Sequence, residues 1–236
     1  MFVADIEAIS GSPVRLIELR LSTPGFRFRA GQYLEIVHPG GEVIPMTIAS
    51  SPARLPRLCL HFRNVAGAPG AALLDELLST QDKLTIRGPS GEVYVSAADV
   101  AGEPLLLIAG GTGASQALAI IDDLELRQCA TRVDLLVCAD EPEDLYFRAQ
   151  LTTNQPSWLY PTYIIDARRN AHNKAQLWLR DNAARFTDHR IVLSGSPGFV
   201  YATLATLQTA GIARSQTDSD VYAYAPQPEA ASERDA

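Results

Sequence analysis

Gly110-Gly111-Thr112-Gly113 directly follows the apolar run Leu105-Leu106-Leu107-Ile108-Ala109 and precedes a helical pattern. Glycines let a backbone turn tightly and approach a ligand, and a helix start offers free N–H groups and a positive dipole end. That combination suits the pyrophosphate of a dinucleotide. The same residues would also serve a plain strand-to-helix turn, and the spacing is not GxGxxG, because Ala114, Ser115 and Gln116 follow. The position after a buried strand favours the nucleotide. Asp140, at the end of the next strand pattern, is placed for a ribose. A carboxylate there accepts hydrogen bonds from the ribose hydroxyls and repels a 2′-phosphate, favouring NADH over NADPH. An ordinary loop acid is the plain alternative. Arg168 and Arg169, after the third strand of this half, would bind a phosphate or stand as solvated surface charge.

Other chemistries find little support. The three cysteines, Cys59, Cys129 and Cys138, are irregularly spaced, with no CxxC and no Cys/His pairing. They form no disulfide framework and suggest no zinc or iron–sulfur centre, so no metal site is expected and a reducing cytoplasm is the simplest home. Of the histidines, His38, His172 and His189 fall in loop-like stretches and His61 in a strand; without a visible partner each reads as surface or structural. Twenty Lys+Arg against 27 Asp+Glu leave a net charge of −7. A field of that sign repels phosphate backbones and anionic lipid, which argues against a nucleic-acid or membrane-surface role. The N-terminal stretch MFVADIEAIS carries acids and no basic segment, so no signal peptide is expected. The longest apolar run, 104–109, is far short of the ~20 residues of a membrane helix.

The elements that must position these residues fall into two halves. Up to about Val100 the chain offers short β-rich runs (VRLIELRL, GQYLEIVH, MTIAS, LCLHFRNV, KLTIRGP and GEVYV) separated by Gly/Pro turns. Many short strands at regular spacing predict a small antiparallel barrel, with one helical segment over 70–78 to plug or cap it. From residue 102 the texture becomes strand–helix alternation: LLLIA, a helix over 115–128, RVDLLVCA, a short helix over 143–151, TYIIDA, a helix over 174–185, RIVLSG and a helix over 198–210. That order predicts βαβ units and a doubly wound parallel sheet. The expected domains are 1–101 and 102–225, with a disordered tail over 226–236.

Taken in order, Phe28-Arg29-Ala30-Gly31-Gln32-Tyr33-Leu34, Ile44-Pro45-Met46-Thr47-Ile48-Ala49-Ser50-Ser51-Pro52, Leu60-His61-Phe62-Arg63, Gly88-Pro89-Ser90-Gly91, the glycine turn, Ser194-Gly195-Ser196-Pro197 and Asp220-Val221-Tyr222-Ala223-Tyr224 resemble the ferredoxin–NADP reductase superfamily. Within it they resemble the small bacterial NAD(P)H:flavin oxidoreductases. It implies that the barrel binds flavin, as FAD, FMN or riboflavin, that the α/β half binds NADH or NADPH, and that the flavin ring lies between them. Thr47 matches the hydroxyl that contacts flavin N5, and Ser194 stands where many members place Cys beside the nicotinamide. The resemblance implies cofactor contacts from Ile44, Pro45, Met46, Thr47, His61, Phe62 and Arg63 on the barrel side. On the other side it implies Gly110, Gly111, Thr112, Gly113, Asp140, Gly195, Ser196, Pro197 and Tyr222, with Tyr222 and Tyr224 on a C-terminal aromatic strand. Ile44 departs from the pattern, because the family usually has Arg there for the flavin side chain or its phosphate. Arg63 and Arg29 are candidates to replace it.

The leading expectation is hydride transfer from NAD(P)H to N5 of a free or weakly bound flavin. In such a reaction the cofactors carry the redox chemistry and the protein stacks and shields them, so no paired carboxylate or Ser/His/Asp triad is required. Two other readings are carried forward. One is a reductase subunit with bound FAD or FMN that passes electrons to a ferredoxin, an oxygenase or another protein; a flavin-dependent monooxygenase or an electron-transfer protein is the partner class expected. The other is a nucleotide-binding regulatory module that has lost catalysis.

Overall fold

The computed structural model describes residues 1–227 except 66, 69, 97, 99, 101, 130, 154 and 169. Arg169 and the tail from 228 onward therefore lie outside the described residues. The first half forms six antiparallel strands: β1 (Phe2–Ser10), β2 (Val14–Leu21), β3 (Tyr33–Val37), β4 (Val43–Thr47), β5 (Arg57–Arg63) and β6 (Lys83–Ser90). Their order is β4-β3-β6-β1-β2-β5, and a bridge between Ile48 and Leu60 ties the two edges into a barrel. Alternation explains the inside. Ile17 and Leu19, Leu34 and Ile36, and Leu58, Leu60 and Phe62 point inward, with charged or polar residues between many of them. Helix α1 (Ala71–Thr80) closes the barrel through Leu74, Leu77 and Leu78, spaced to share one helix face.

The second half alternates β7 (Leu105–Gly110), α2 (Ala114–Leu126), β8 (Val133–Ala139), α3 (Arg148–Thr153), β9 (Leu159–Ile165), α4 (Ala171–Asn182), β10 (Arg190–Ser194), α5 (Pro197–Thr209), β11 (Thr217–Asp218) and α6 (Val221–Tyr224). The five strands run parallel in the order β11-β10-β7-β8-β9. The unbroken apolar run of β7 has a direct cause: Leu105, Leu107 and Ala109 pack under α2, whereas Leu106 and Ile108 pack under α4 and α5. This is the doubly wound sheet expected from the alternation.

Two local expectations are corrected. Gly91–Val95 do not make a barrel strand; Val93 and Val95 turn away and pack with Ala30 and Ile120 in the core under α2. Tyr222 and Tyr224 do not lie on a strand but on the single turn α6, where the Tyr224 N–H donates to Asp220 O. The only strand in that stretch is the two-residue β11 just before it.

The two halves are locked where β4 runs out. The Ser51 N–H donates to Asp122 (2.9 Å) and its hydroxyl to Asp123 (2.6 Å), both on α2. Arg54 makes two 2.6 Å bonds to the Asp122 carboxylate, and Arg127 donates to Asp123 at 2.7 Å. Asp123 is 2% exposed, so its charge is tolerated only because these donors face it. Asp123→Ala leaves the buried Ser51 hydroxyl without its acceptor. The expected loss is about 2–3 kcal/mol of stability, read as a lower urea midpoint with unchanged slope.

Candidate functional site

The lock leaves a cleft between the end of β4 and the glycine turn. One cavity, about 360 Å³, is lined by Thr47 from the barrel, by Gly110, Thr112, Gly113 and Gln116 at the start of α2, by Ser194–Ser196 after β10, and by Ser219–Val221 and Tyr224 near the C-terminus. A second, about 490 Å³, is lined by Gly110–Thr112, Asp140, Glu141, Asp144, His172 and Ser196 together with Arg63–Val65. Gly110, Thr112 and Ser196 line both, so the two form one elongated site around the turn.

The turn is shaped by lack of room. A Cβ on Gly113 would lie 2.6 Å from the backbone C and O of Ser194 and 2.7 Å from the Gly195 nitrogen. The two loops are held in that contact by Ser194, whose hydroxyl donates to Gly113 O at 2.9 Å. Gly195, at φ +148°, would put a Cβ 2.8 Å from the Phe199 ring. The 3-10 turn Gly111–Gly113 that leads into α2 carries no side-chain cap, which leaves its backbone N–H groups for an anionic ligand. At Gly113 and Gly195 nothing larger than hydrogen is accommodated, so the two loops meet backbone to backbone and form a cradle. On the far side Ser196 caps α5, its hydroxyl accepting from the Phe199 N–H at 3.4 Å.

The structure brings together some of the expected residues and disperses others. Thr47, Gly110, Gly111, Thr112, Gly113, Asp140, Ser194, Gly195, Ser196 and Arg63 converge. Pro197 sits behind the site, facing Tyr201 on the outer side of α5. On β4 only Thr47 reaches the cleft: Ile44 is 4% exposed inside the barrel, Pro45 faces solvent, and Met46 packs against the barrel core. Phe62 also points into that core. His61 lies elsewhere, in a separate interdomain cavity of about 320 Å³, its Nδ1 2.6 Å from the Tyr146 hydroxyl. Burial pulls the His61 pKa down to about 4, so it is neutral there and shares a hydrogen bond with the Tyr146 hydroxyl. Tyr222 lines neither part of the site; its ring lies 3.6 Å from the Arg214 guanidinium and its hydroxyl 3.2 Å from Thr217. Neither proposed replacement for an arginine at 44 is free: Arg63 is ion-paired with Asp144, and Arg29 stacks on Tyr94 at 4.3 Å.

Sequence reasoning missed Asp220, Gln116, Glu141 and His172, all of which line the site. Asp220 belongs to the Asp220-Val221-Tyr222-Ala223-Tyr224 motif, and its place at the head of that run is the one sequence signal for it. Gln116 Nε2 donates to Asp220 at 3.1 Å and to Gly31 O at 2.8 Å, tying α2, α6 and the barrel together. Burial drives the Asp220 pKa up to about 6, against the hydrogen bonds from Gln116 and the Val93 backbone, which favour the carboxylate. Because the folded value exceeds the ordinary one, ionising Asp220 costs stability, and the cost appears as pH rises from about 4 to above 6. Asp220→Asn removes it. The variant should match the wild type near pH 4 and gain up to about 3 kcal/mol over it at pH 8, measured by urea unfolding at both pH values.

No protein-family model matches the chain. The reductase component 2 of terephthalate 1,2-dioxygenase from Comamonas sp is 28% identical over 226 residues, covering 92% of this chain and 66% of that protein. The NAD(P)H-flavin reductase of Vibrio harveyi is 33% identical over 129 residues, 52% of this chain and 54% of that one. The chain thus spans about two thirds of the first relative's length and about half of the second's. Among solved structures, the ferredoxin-NADP+ reductase of Plasmodium falciparum superposes with a TM-score of 0.72 at 14% identity, covering 92% of this chain and 95% of that one. Barrel, glycine turn and solved structure agree on the fold: the chain has the two-part architecture of the ferredoxin–NADP reductases, and the curated relatives it resembles are an oxygenase reductase component and an NAD(P)H-flavin reductase.

Proposed function

We propose that the chain is an NAD(P)H-dependent flavin reductase. The observation that carries this reading is the single elongated site that Thr47 of the barrel lines together with the glycine turn and Ser194–Ser196 of the parallel sheet. Residues 1–101 supply the flavin side and 102–225 the nucleotide side, each incomplete alone. When bound, the nicotinamide would supply a hydride and the flavin would accept it; the redox chemistry would be theirs. The chain's own part is geometric. The glycine turn and the start of α2 take the pyrophosphate, Thr47 offers its hydroxyl where the acceptor ring enters, and Ser194 holds the nicotinamide loop against the turn. The Vibrio relative's name supports the reaction, and the three free cysteines fit a cytoplasmic setting.

The Comamonas relative favours a second reading, in which flavin stays bound and electrons pass on to an oxygenase component or another electron-transfer protein. Gel filtration separates the two. A colourless protein that oxidises NADH only when flavin is added supports the first, and a yellow one the second. Absence of NADH oxidation with riboflavin, FMN or FAD, with and without oxygen, rejects both and leaves a nucleotide-binding regulatory module.

Asp140 and Glu141 place two carboxylates at the nucleotide end of the site, beside the Asp144–Arg63 ion pair. They disfavour a 2′-phosphate, so NADH is the expected donor. Asp140→Ala should narrow the NADH/NADPH ratio of kcat/KM by about tenfold; a wild type that prefers NADPH would refute the assignment.

A further inference from the structure

We propose that the interdomain cavity at His61 is an effector pocket for a small uncharged aromatic molecule carrying one hydroxyl, and that filling it tightens the nucleotide end of the cleft. The cavity, about 320 Å³, lies between β2 and β5 of the barrel, α2, and residues 146–151. It shares no lining residue with either part of the cleft.

The lining sets the ligand's chemistry. Leu16 of the barrel, Leu118 and Ile121 of α2, and Phe147 and Leu151 beyond them give the cavity an apolar body. Its volume, near the low end for small-molecule sites, suits a single ring. The polar groups inside are uncharged. Burial holds the His61 pKa at about 4, pushes the Cys59 thiol up to about 11 and raises the Tyr146 phenol. His61 Nδ1 is taken by the Tyr146 hydroxyl at 2.6 Å, while Nε2 has no hydrogen-bond partner among the described residues. A neutral imidazole bonded at one nitrogen still donates or accepts at the other, so Nε2 offers one bond to a hydroxyl. Charge excludes other ligands. The one guanidinium in the lining, Arg54, makes two 2.6 Å bonds to the Asp122 carboxylate. Glu18 and Glu125 also line the cavity, are exposed, and form no ion pair among the described residues. An anion would meet free carboxylates and a saturated cation. A cation would find carboxylates only where water screens them, and would lose its hydration inside.

The cavity is coupled to the nucleotide end by shared elements. On β5, His61 and Arg63 lie on one face, with Leu60 and Phe62 turned into the barrel. In the segment after β8, Tyr146 follows Asp144 by two residues. His61–Tyr146 and Arg63–Asp144 are therefore neighbouring ties between the same strand and the same segment. The wall residues Leu118 and Ile121 belong to α2, which starts at the glycine turn. A molecule bonded to His61 and packed on Leu118 and Phe147 braces both halves at once. Only this coupling rests on the flavin-reductase reading.

The test titrates benzyl alcohol, benzylamine and benzoate, matched in ring and different in charge, into the full chain, followed by NMR. Benzyl alcohol should bind with a dissociation constant of about 1–10 mM and shift the His61 ring signals. Benzoate should bind at least about tenfold more weakly. Gln150→Trp, at an exposed position of α3 that lines the cavity, should abolish binding and leave basal NADH oxidation unchanged; Leu118→Trp fills the cavity from another wall. With benzyl alcohol saturating, NADH should bind about fivefold more tightly, and saturating NADH should tighten the alcohol by the same factor. The inference is overturned by no alcohol binding up to about 50 mM, by binding that survives both tryptophans in folded protein, or by benzylamine or benzoate binding more tightly than the alcohol. Unchanged or weakened NADH affinity with the alcohol bound overturns the effector role. A chain that binds the alcohol as stated but no NADH upholds the pocket and rejects the flavin-reductase reading, with the effector role that rests on it.

Discussion

The grip of Ser51 on α2 is the interaction on which the site depends. Its N–H and hydroxyl reach two adjacent carboxylates, Asp122 and Asp123, on the helix whose first residues follow the glycine turn. One rigid element therefore sets the spacing between the turn and the end of β4, where Thr47 stands. The arrangement is stable because every partner in it is satisfied. Asp123 receives Ser51 and Arg127, Asp122 receives Ser51 and Arg54, and the polar cluster is worth burying only in that complete form.

A second constraint acts at the turn itself. Gly113 meets Ser194 and Gly195 backbone to backbone, and Gly195 meets Phe199, so no side chain fits between the loops. Recognition there falls to N–H groups and hydroxyls rather than to lysine or arginine. This resolves an apparent conflict in the composition. A net charge of −7 does not prevent binding of an anionic dinucleotide when the attraction is local, from a helix start and a backbone cradle.

Much of the architecture was legible because it rests on short-range periodicity. Alternation in β2, β3 and β5, the all-apolar β7 and β8, and the leucine spacing of α1 each report their own burial. The errors came where the pattern was right and the destination was wrong. Val93 and Val95 alternate like a strand, yet their neighbours are Ala30 and the residues under α2. Ile44, His61 and Phe62 lie on the expected strands but face the barrel interior or a different cavity. Register in a closed barrel depends on all six strands together, so no single strand reveals which of its ends borders a cleft.

The sequence by itself determined the local devices: the glycine turn after a buried strand, the two textures of the chain, and the hydroxyl at Thr47. These are set by backbone freedom and by hydrophobic period, both properties of neighbouring residues. Only the tertiary structure decided that Thr47, Gly113, Ser194 and Asp220 share a wall, that Tyr222 does not, and that Arg63 is neutralised by Asp144. It also set the protonation of Asp220, because a carboxyl's pKa responds to the water removed around it. Such facts depend on contacts between residues far apart in the chain, and those contacts exist only once α2 has been clamped against the barrel.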